Sequence, residues 1–188
     1  MNPIRKFPGH FAGAFIPRVG VDGMVEVLVI GVLPIQYREA NNKLRLQRLQ
    51  VKMPGGCAQN HEENANLSLA LVRELHGEIA KDDDFQVSLG KQVFQRVKPG
   101  RSPSEPKHRQ SFYYTQFQGE LRNEDVVEDE GDEILAPPCW VEARQLWSTI
   151  FPSHREPLVA GLEHLALASP EVAYQYSDIL ATRRSGQS

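Results

Sequence analysis

The feature that most limits how this chain can fold is a set of four apolar residues spaced by four. Leu or Ile recurs at positions 67, 71, 75 and 79, which places all four on one face of a helix running from about Glu63 to Ala80. Segments rich in Val, Ile, Leu and Phe lie before and after this helix and predict strands: Phe11–Val19, Val25–Leu33, Leu44–Met53, Phe85–Val97 and Ser111–Leu121. Strands on both sides of one helix predict a layered fold of the α/β or α+β class.

The second of these strand segments and the end of the chain add detail. Val25–Leu33 is almost continuously apolar, as expected of a central strand buried on both faces. Toward the end of the chain the patterns predict helices over Val141–Phe151 and Glu156–Ala168, and a short helix within Pro170–Arg184. We therefore expect one domain over residues 1–168 and a C-terminal helical tail over residues 169–188.

Composition excludes several classes of protein. The 188 residues are 40% hydrophobic, and 21 basic against 24 acidic side chains leave a net charge of −3, so nucleic acid is not an expected partner. Cys57 and Cys139 are too few for a disulfide scaffold or a four-thiolate zinc site, which favours a reducing compartment. The longest apolar stretch, Val27–Leu33, is far shorter than the roughly 20 residues of a membrane helix. We expect a cytoplasmic chain with no membrane partner.

The central helix carries two carboxylates on one face. Glu74 and Glu78 lie four residues apart, and like charges at this spacing repel each other by a few tenths of a kcal/mol in an isolated helix. A divalent cation converts that repulsion into attraction, and Mg²⁺ prefers carboxylate oxygens, water and phosphate as ligands. Glutamates at this spacing are also common on solvated helix faces, so the pair alone leaves both interpretations open.

The segment around these carboxylates resembles a family motif. Residues 56–80 are similar to the Nudix box of the Nudix hydrolases, G-x5-E-x7-R-E-U-x-E-E-x-G-U, where U is a bulky aliphatic residue. The matching positions are Gly56, Glu62, Arg73, Glu74, Leu75 and Glu78. The segment that begins at Trp140 also looks like the tryptophan-led entry to the last helices of the family. The resemblance implies an α/β/α sandwich with a mixed β-sheet.

Four departures from the motif separate this chain from typical members. Ten residues rather than seven lie between Glu62 and Arg73, and Gly77 replaces the first glutamate of the E-E pair. Ala80 replaces the motif glycine, and Lys81 replaces the aliphatic residue that follows it. Typical members hold metal through three box glutamates, and here only Glu74 and Glu78 correspond to them.

The resemblance assigns roles to individual residues. It makes Glu74 and Glu78 catalytic residues that hold Mg²⁺ or Mn²⁺, and it makes Arg73 a structural partner of Glu62 or, given the longer spacing, of Glu63. Members often add a carboxylate from outside the box as ligand or general base. In the acidic stretch before Trp140 we favour Glu130 or Glu133 for that role, and the alternative is a solvated acidic loop.

A basic stretch supplies candidates for substrate binding. Lys98, Arg101, Lys107, His108 and Arg109 lie between two predicted strands. If this stretch folds over the site, Arg101, Lys107 and Arg109 contact phosphates of the substrate. The alternative is a solvated loop.

Two functions follow from the resemblance. The first is a metal-dependent hydrolase of a pyrophosphate bond in a nucleoside diphosphate-linked substrate, a small nucleotide-type molecule. The alternative is a catalytically impaired Nudix-fold domain that binds a nucleotide or a protein partner. A third interpretation is a helix that merely resembles the box, against which the Pro54-Gly55-Gly56 entry and Trp140 count. Many family members are homodimers, so a homodimer is compatible with either function.

Overall fold

A computed structural model describes residues 9–37, 44–46, 50–81, 83–99, 107–127 and 133–185. The strands are β1 (Phe11–Phe15), β2 (Pro17–Val19), β3 (Val25–Tyr37), β4 (Leu44–Leu46), β5 (Gln50–Lys52), β6 (Gly55–Cys57), β7 (Gln86–Lys98), β8 (His108–Gln118), β9 (Val126–Val127), β10 (Glu133–Leu135) and β11 (Cys139–Glu142). The helices are α1 (His61–Ala65), α2 (Leu67–Glu78), α3 (Ala143–Thr149), α4 (Pro152–Ala166), α5 (Pro170–Gln175) and α6 (Ser177–Ser185).

The strands form two sheets. In the first, ordered β6-β1-β8-β7, β1 pairs parallel with β8 and antiparallel with β6, so the sheet is mixed. In the second, β3 pairs antiparallel with β2, β4, β5, β10 and β11. The side chains of residues 27–30 in β3 are fully buried, whichever face they point to, which confirms the prediction of a central strand.

Helices cover both faces of the sheets. On one face, the apolar stripe of α2, including Leu71 and Leu75, packs on Ala12, Leu28 and other small and aliphatic side chains. On the other face, α3 packs against β3 and β5, and α4 packs against β1 and β7, within one cluster that includes Phe15 and Phe112. This α/β/α layering confirms the predicted fold class.

The predicted central helix is in fact two helices. Asn66 has extended backbone angles (φ −125°, ψ 90°), and its side chain accepts a hydrogen bond from the Ser68 N–H, so it caps the start of α2. The break lies between Glu62 and Arg73, where the sequence has three residues more than the Nudix pattern. The helix predicted to begin at Val141 begins instead at Ala143, because Val141 and Glu142 pair with β3 and the Glu142 carboxylate caps α3.

The segment predicted to be a C-terminal tail packs against the rest of the chain. Val172, Tyr176 and Ile179 belong to the same hydrophobic cluster as α4. The Tyr176 hydroxyl accepts a hydrogen bond from the Val25 N–H (2.9 Å) and lies 2.8 Å from the Glu142 carboxylate. Among the described residues, no helix combines the length and apolar character needed to cross a membrane.

Candidate functional site

Strand β6, which leads into α1, begins with two glycines that have no room for a side chain. Gly55 has φ +138°, and a Cβ there would lie 2.2 Å from the Ala12 carbonyl oxygen of the neighbouring strand. A Cβ on Gly56 would lie 2.3 Å from the carboxyl carbon of Glu74. The predicted box residue Gly56 therefore allows the Glu74 carboxylate to lie directly against β6.

Arg73 links α1 and α2 to β6. Its guanidinium donates to both carboxylate oxygens of Glu63 (2.9 and 3.1 Å), to Glu74 Oε1 (2.7 Å) and to the Cys57 carbonyl (3.0 Å). Hydrogen bonding from Arg73 lowers the pKa of Glu63, so Glu63 remains ionised. These hydrogen bonds of Arg73 fix the Glu74 carboxylate relative to β6.

The structure chooses between the two predicted partners of Arg73. Glu62 is exposed, whereas Glu63 is buried and holds the guanidinium with both oxygens. Of the two partners of Arg73 that the sequence left open, Glu62 and Glu63, the guanidinium therefore binds Glu63. The physical reason is the phase of α1, which begins at His61 and turns residue 63 toward α2.

We expect Glu63→Gln to lower the free energy of unfolding by about 2 kcal/mol, because it removes a bidentate, charge-assisted pair. The matched variant Glu62→Gln changes an exposed side chain and should alter stability by less than about 0.5 kcal/mol. Urea denaturation of both variants measures the difference. Equal stability of the two variants would contradict a stabilising role for the pair between Arg73 and Glu63.

Glu78 is the buried carboxylate of the site. Its residue is 3% exposed, its Oε2 accepts a hydrogen bond from the Gly55 N–H (2.6 Å), and Lys52 Nζ lies 3.0 Å from its Oε1. Burial raises the pKa of Glu78 to about 7, even though the Lys52 charge acts in the opposite direction. The positive charge around this carboxylate therefore compensates only part of the loss of solvation.

Two charged neighbours of Glu78 were not predicted from the sequence. Lys52 lies at the end of β5, and a single lysine in an alternating strand carries no signal that it will face a carboxylate. Arg122, which is 3% exposed, donates from Nε to the Glu78 carbonyl (2.5 Å). It also donates to the carbonyls of Glu124 and Ala136. Arg122 thus ties the end of α2 to the two sides of the acidic stretch.

The box carboxylates are the candidate donors for the cation that the resemblance implies. Among the residues that the structure describes, no group of three or more His, Cys, Asp or Glu side chains is placed to hold a metal ion. Glu74 and Glu78 offer hard oxygen donors, which suit Mg²⁺ or Mn²⁺. Glu78 is also buried, and the positive charge around it does not fully compensate for the loss of solvation of its carboxylate. The two carboxylates fit one hard cation whose other ligands come from water and phosphate.

The remaining predicted site residues are spread more widely. Lys107 is exposed. Arg109 lies beside α1, where its backbone N–H donates to His10 Nδ1 (3.0 Å) and its Nη2 lies 3.4 Å from the Asn64 carbonyl oxygen. Arg101 and Glu130 lie outside the described residues, and Glu133 begins β10. The structure therefore brings together Gly56, Arg73, Glu74 and Glu78.

Comparison with known proteins connects this arrangement to a fold. No model of a protein family matches the sequence, and no curated protein sequence matches it either. Among solved structures, a mutT/nudix family protein from Listeria innocua matches with a TM-score of 0.51 and 16% identity, covering 87% of this chain and 98% of that one. An Ap4A hydrolase of C. elegans matches with a TM-score of 0.51 and 14% identity, covering 84% and 97%.

A third structure gives the same result. A candidate asymmetric diadenosine tetraphosphate hydrolase from Jonesia denitrificans has a TM-score of 0.52 and 14% identity, with 85% of this chain and 95% of that chain covered. At these identities the likeness concerns the arrangement of the backbone. The chain has the α/β/α fold of the Nudix hydrolases.

Proposed function

We propose that this chain is a metal-dependent hydrolase that cleaves a pyrophosphate bond in a nucleoside diphosphate-linked substrate. The observation that carries the proposal is the position of Glu74, which Arg73 holds against Gly56 one helical turn from the buried Glu78. A solvated pair of glutamates would need neither the arginine nor the glycine. The Nudix-type fold adds support, since its solved examples include Ap4A hydrolases.

In this proposal each residue has a defined task. Glu74 and Glu78 would hold Mg²⁺ or Mn²⁺, which stabilises charge on a phosphoryl oxygen and lowers the pKa of a bound water. Arg73 orients Glu74, and the Gly55 N–H orients Glu78. Glu130, or Glu133, takes the proton of the attacking water. Arg101, Lys107 and Arg109 contact the substrate phosphates.

We expect Glu74→Gln and Glu78→Gln each to lower kcat by on the order of a hundredfold or more. Each removes a negative charge that would hold the cation, and the cation would stabilise the charge on the reacting phosphate. The measurement is release of phosphate or nucleoside monophosphate from nucleoside triphosphates and nucleoside diphosphate derivatives, with Mg²⁺ or Mn²⁺ and with EDTA. The exposed Glu62→Gln variant is the control. Full turnover in either box variant would contradict the proposed roles.

A second candidate function has its own support. Gly77 replaces a glutamate of the motif. At the next position, the carboxylate of Glu78 is already in contact with a cation, because Lys52 Nζ lies 3.0 Å from its Oε1. These observations favour a domain that binds a nucleotide or protein partner without hydrolysing it. Absence of turnover together with a ligand-dependent rise in Tm would support this alternative. A Cβ at Gly77 meets nothing within 4 Å, so Gly77→Glu tests whether the missing carboxylate is the cause.

A further inference from the structure

Each box carboxylate is already in contact with a cationic side chain of the protein. Arg73 Nη1 lies 2.7 Å from Glu74 Oε1, and Lys52 Nζ lies 3.0 Å from Glu78 Oε1. The two contacts differ in their surroundings. The Arg73 side chain is 34% exposed, whereas Lys52 is 16% exposed and Glu78 only 4%. The second pair is therefore the more strongly shielded from water, and its charges interact more strongly.

The backbone fixes Lys52 beside Glu78. Lys52 is held in β5, where it is paired with Ile30 of the central strand. The next residue, Met53, donates its N–H to His154 Nδ1 (3.1 Å) in the buried core. Three residues after Lys52, the Gly55 N–H donates to the other oxygen of the same carboxylate. One short segment thus delivers an ammonium to Oε1 and a backbone donor to Oε2.

A divalent cation that approaches this carboxylate meets a fixed positive charge. Coulomb repulsion between an ammonium and a divalent ion at contact distance is large wherever water is excluded. Binding through Glu78 then requires Lys52 to move away or the cation to use Glu74 alone.

We infer that Lys52 is a built-in cation at Glu78 that weakens divalent-cation binding by the box carboxylates. Its ammonium takes a position that a metal ion would otherwise occupy, so the site carries part of its positive charge in the protein itself. The inference rests on the cation site of the proposed function, but it does not depend on turnover.

The test is Mn²⁺ binding measured by electron paramagnetic resonance, without substrate. We expect Lys52→Met to bind Mn²⁺ at least about tenfold more tightly than the natural chain, because the competing charge is gone. Lys52→Arg keeps the charge and should bind weakly. The gain should also disappear in the double variant Lys52→Met/Glu78→Gln, which places the additional binding at Glu78. Unchanged Mn²⁺ affinity in folded Lys52→Met would overturn the inference.

Lys52→Met leaves a buried carboxylate without its partner, so its folding is checked by circular dichroism. If it unfolds without metal, Lys52→Gln replaces it, because the amide still donates to Glu78 and carries no charge. Unchanged affinity in folded Lys52→Gln overturns the inference in the same way. Failure of the proposed function gives a different result: the natural chain hydrolyses nothing, while the difference in Mn²⁺ affinity between it and the Lys52 variants is still measurable.

Discussion

Replacing Arg122 by methionine is expected to lower the free energy of unfolding by about 3 kcal/mol, because one buried and two partly buried carbonyl groups lose their charged donor. The carbonyls of Glu78, Glu124 and Ala136 all accept from this guanidinium. The Glu78 carbonyl lies at the end of α2, where a cation also interacts favourably with the helix dipole. Methionine fills a similar volume but offers none of these hydrogen bonds.

Urea denaturation of the Arg122→Met variant measures this effect. The matched control is Arg155→Met, because Arg155 is exposed and its guanidinium lies 5.8 Å from the centre of the Trp147 ring. Loss of such a contact lowers stability by about 0.5 kcal/mol. Equal stability of the two methionine variants would show that the buried guanidinium contributes nothing beyond an exposed one.

The second large effect is a loss of stability in acid that originates at His154. Burial lowers the pKa of this imidazole to about 3 from its ordinary value of 6.5. Its Nδ1 accepts the Met53 N–H, so the neutral ring is the form that the fold uses. Below pH 6.5 the imidazole of His154 is protonated in the unfolded chain, whereas in the folded chain it stays neutral until about pH 3. Stability is therefore fully present above pH 6.5 and falls as the pH is lowered, by about 2 kcal/mol at pH 5 and about 4 kcal/mol at pH 3.

His154→Gln separates this titration from packing. The amide oxygen can still accept the Met53 N–H, but the side chain does not titrate. We expect the variant to be less stable than the natural chain at pH 7.5, where the ring contacts with Phe112 are lost, and to lose less stability between pH 6.5 and 4. Urea denaturation across this range gives both slopes. Parallel slopes would assign the acid sensitivity to other groups.

Local patterns were sufficient to predict the elements that form the site. The spacing of Leu71 and Leu75 predicted the buried face of α2, and the i, i+4 spacing predicted that Glu74 and Glu78 share one helix face. The sequence also contains the cap residue Asn66 directly before Leu67, the first residue of the apolar repeat, but the predicted helix begins at Glu63 and runs through it. These features depend on residues that are near one another along the chain.

The charged neighbours of Glu78 were harder to predict, because Lys52, at its carboxylate, and Arg122, at its backbone carbonyl, come from distant parts of the chain. Lys52 reaches Glu78 through the pairing of β5 with β3, and Arg122 reaches it after the whole β7–β8 hairpin. Neither side chain lies in a motif. The choice between Glu62 and Glu63 required the phase of α1, which the three additional residues hide from a motif defined by spacing.

The contact between Tyr176 and Val25 has a consequence for how the chain is made. The two residues are 151 positions apart, yet the Tyr176 hydroxyl satisfies the backbone at the start of the central strand. During synthesis, β3 leaves the ribosome long before α5 and Tyr176 do. Until the last helices arrive, the Val25 N–H can bond only to water, so the start of the central strand gains this native hydrogen bond at a late stage of synthesis.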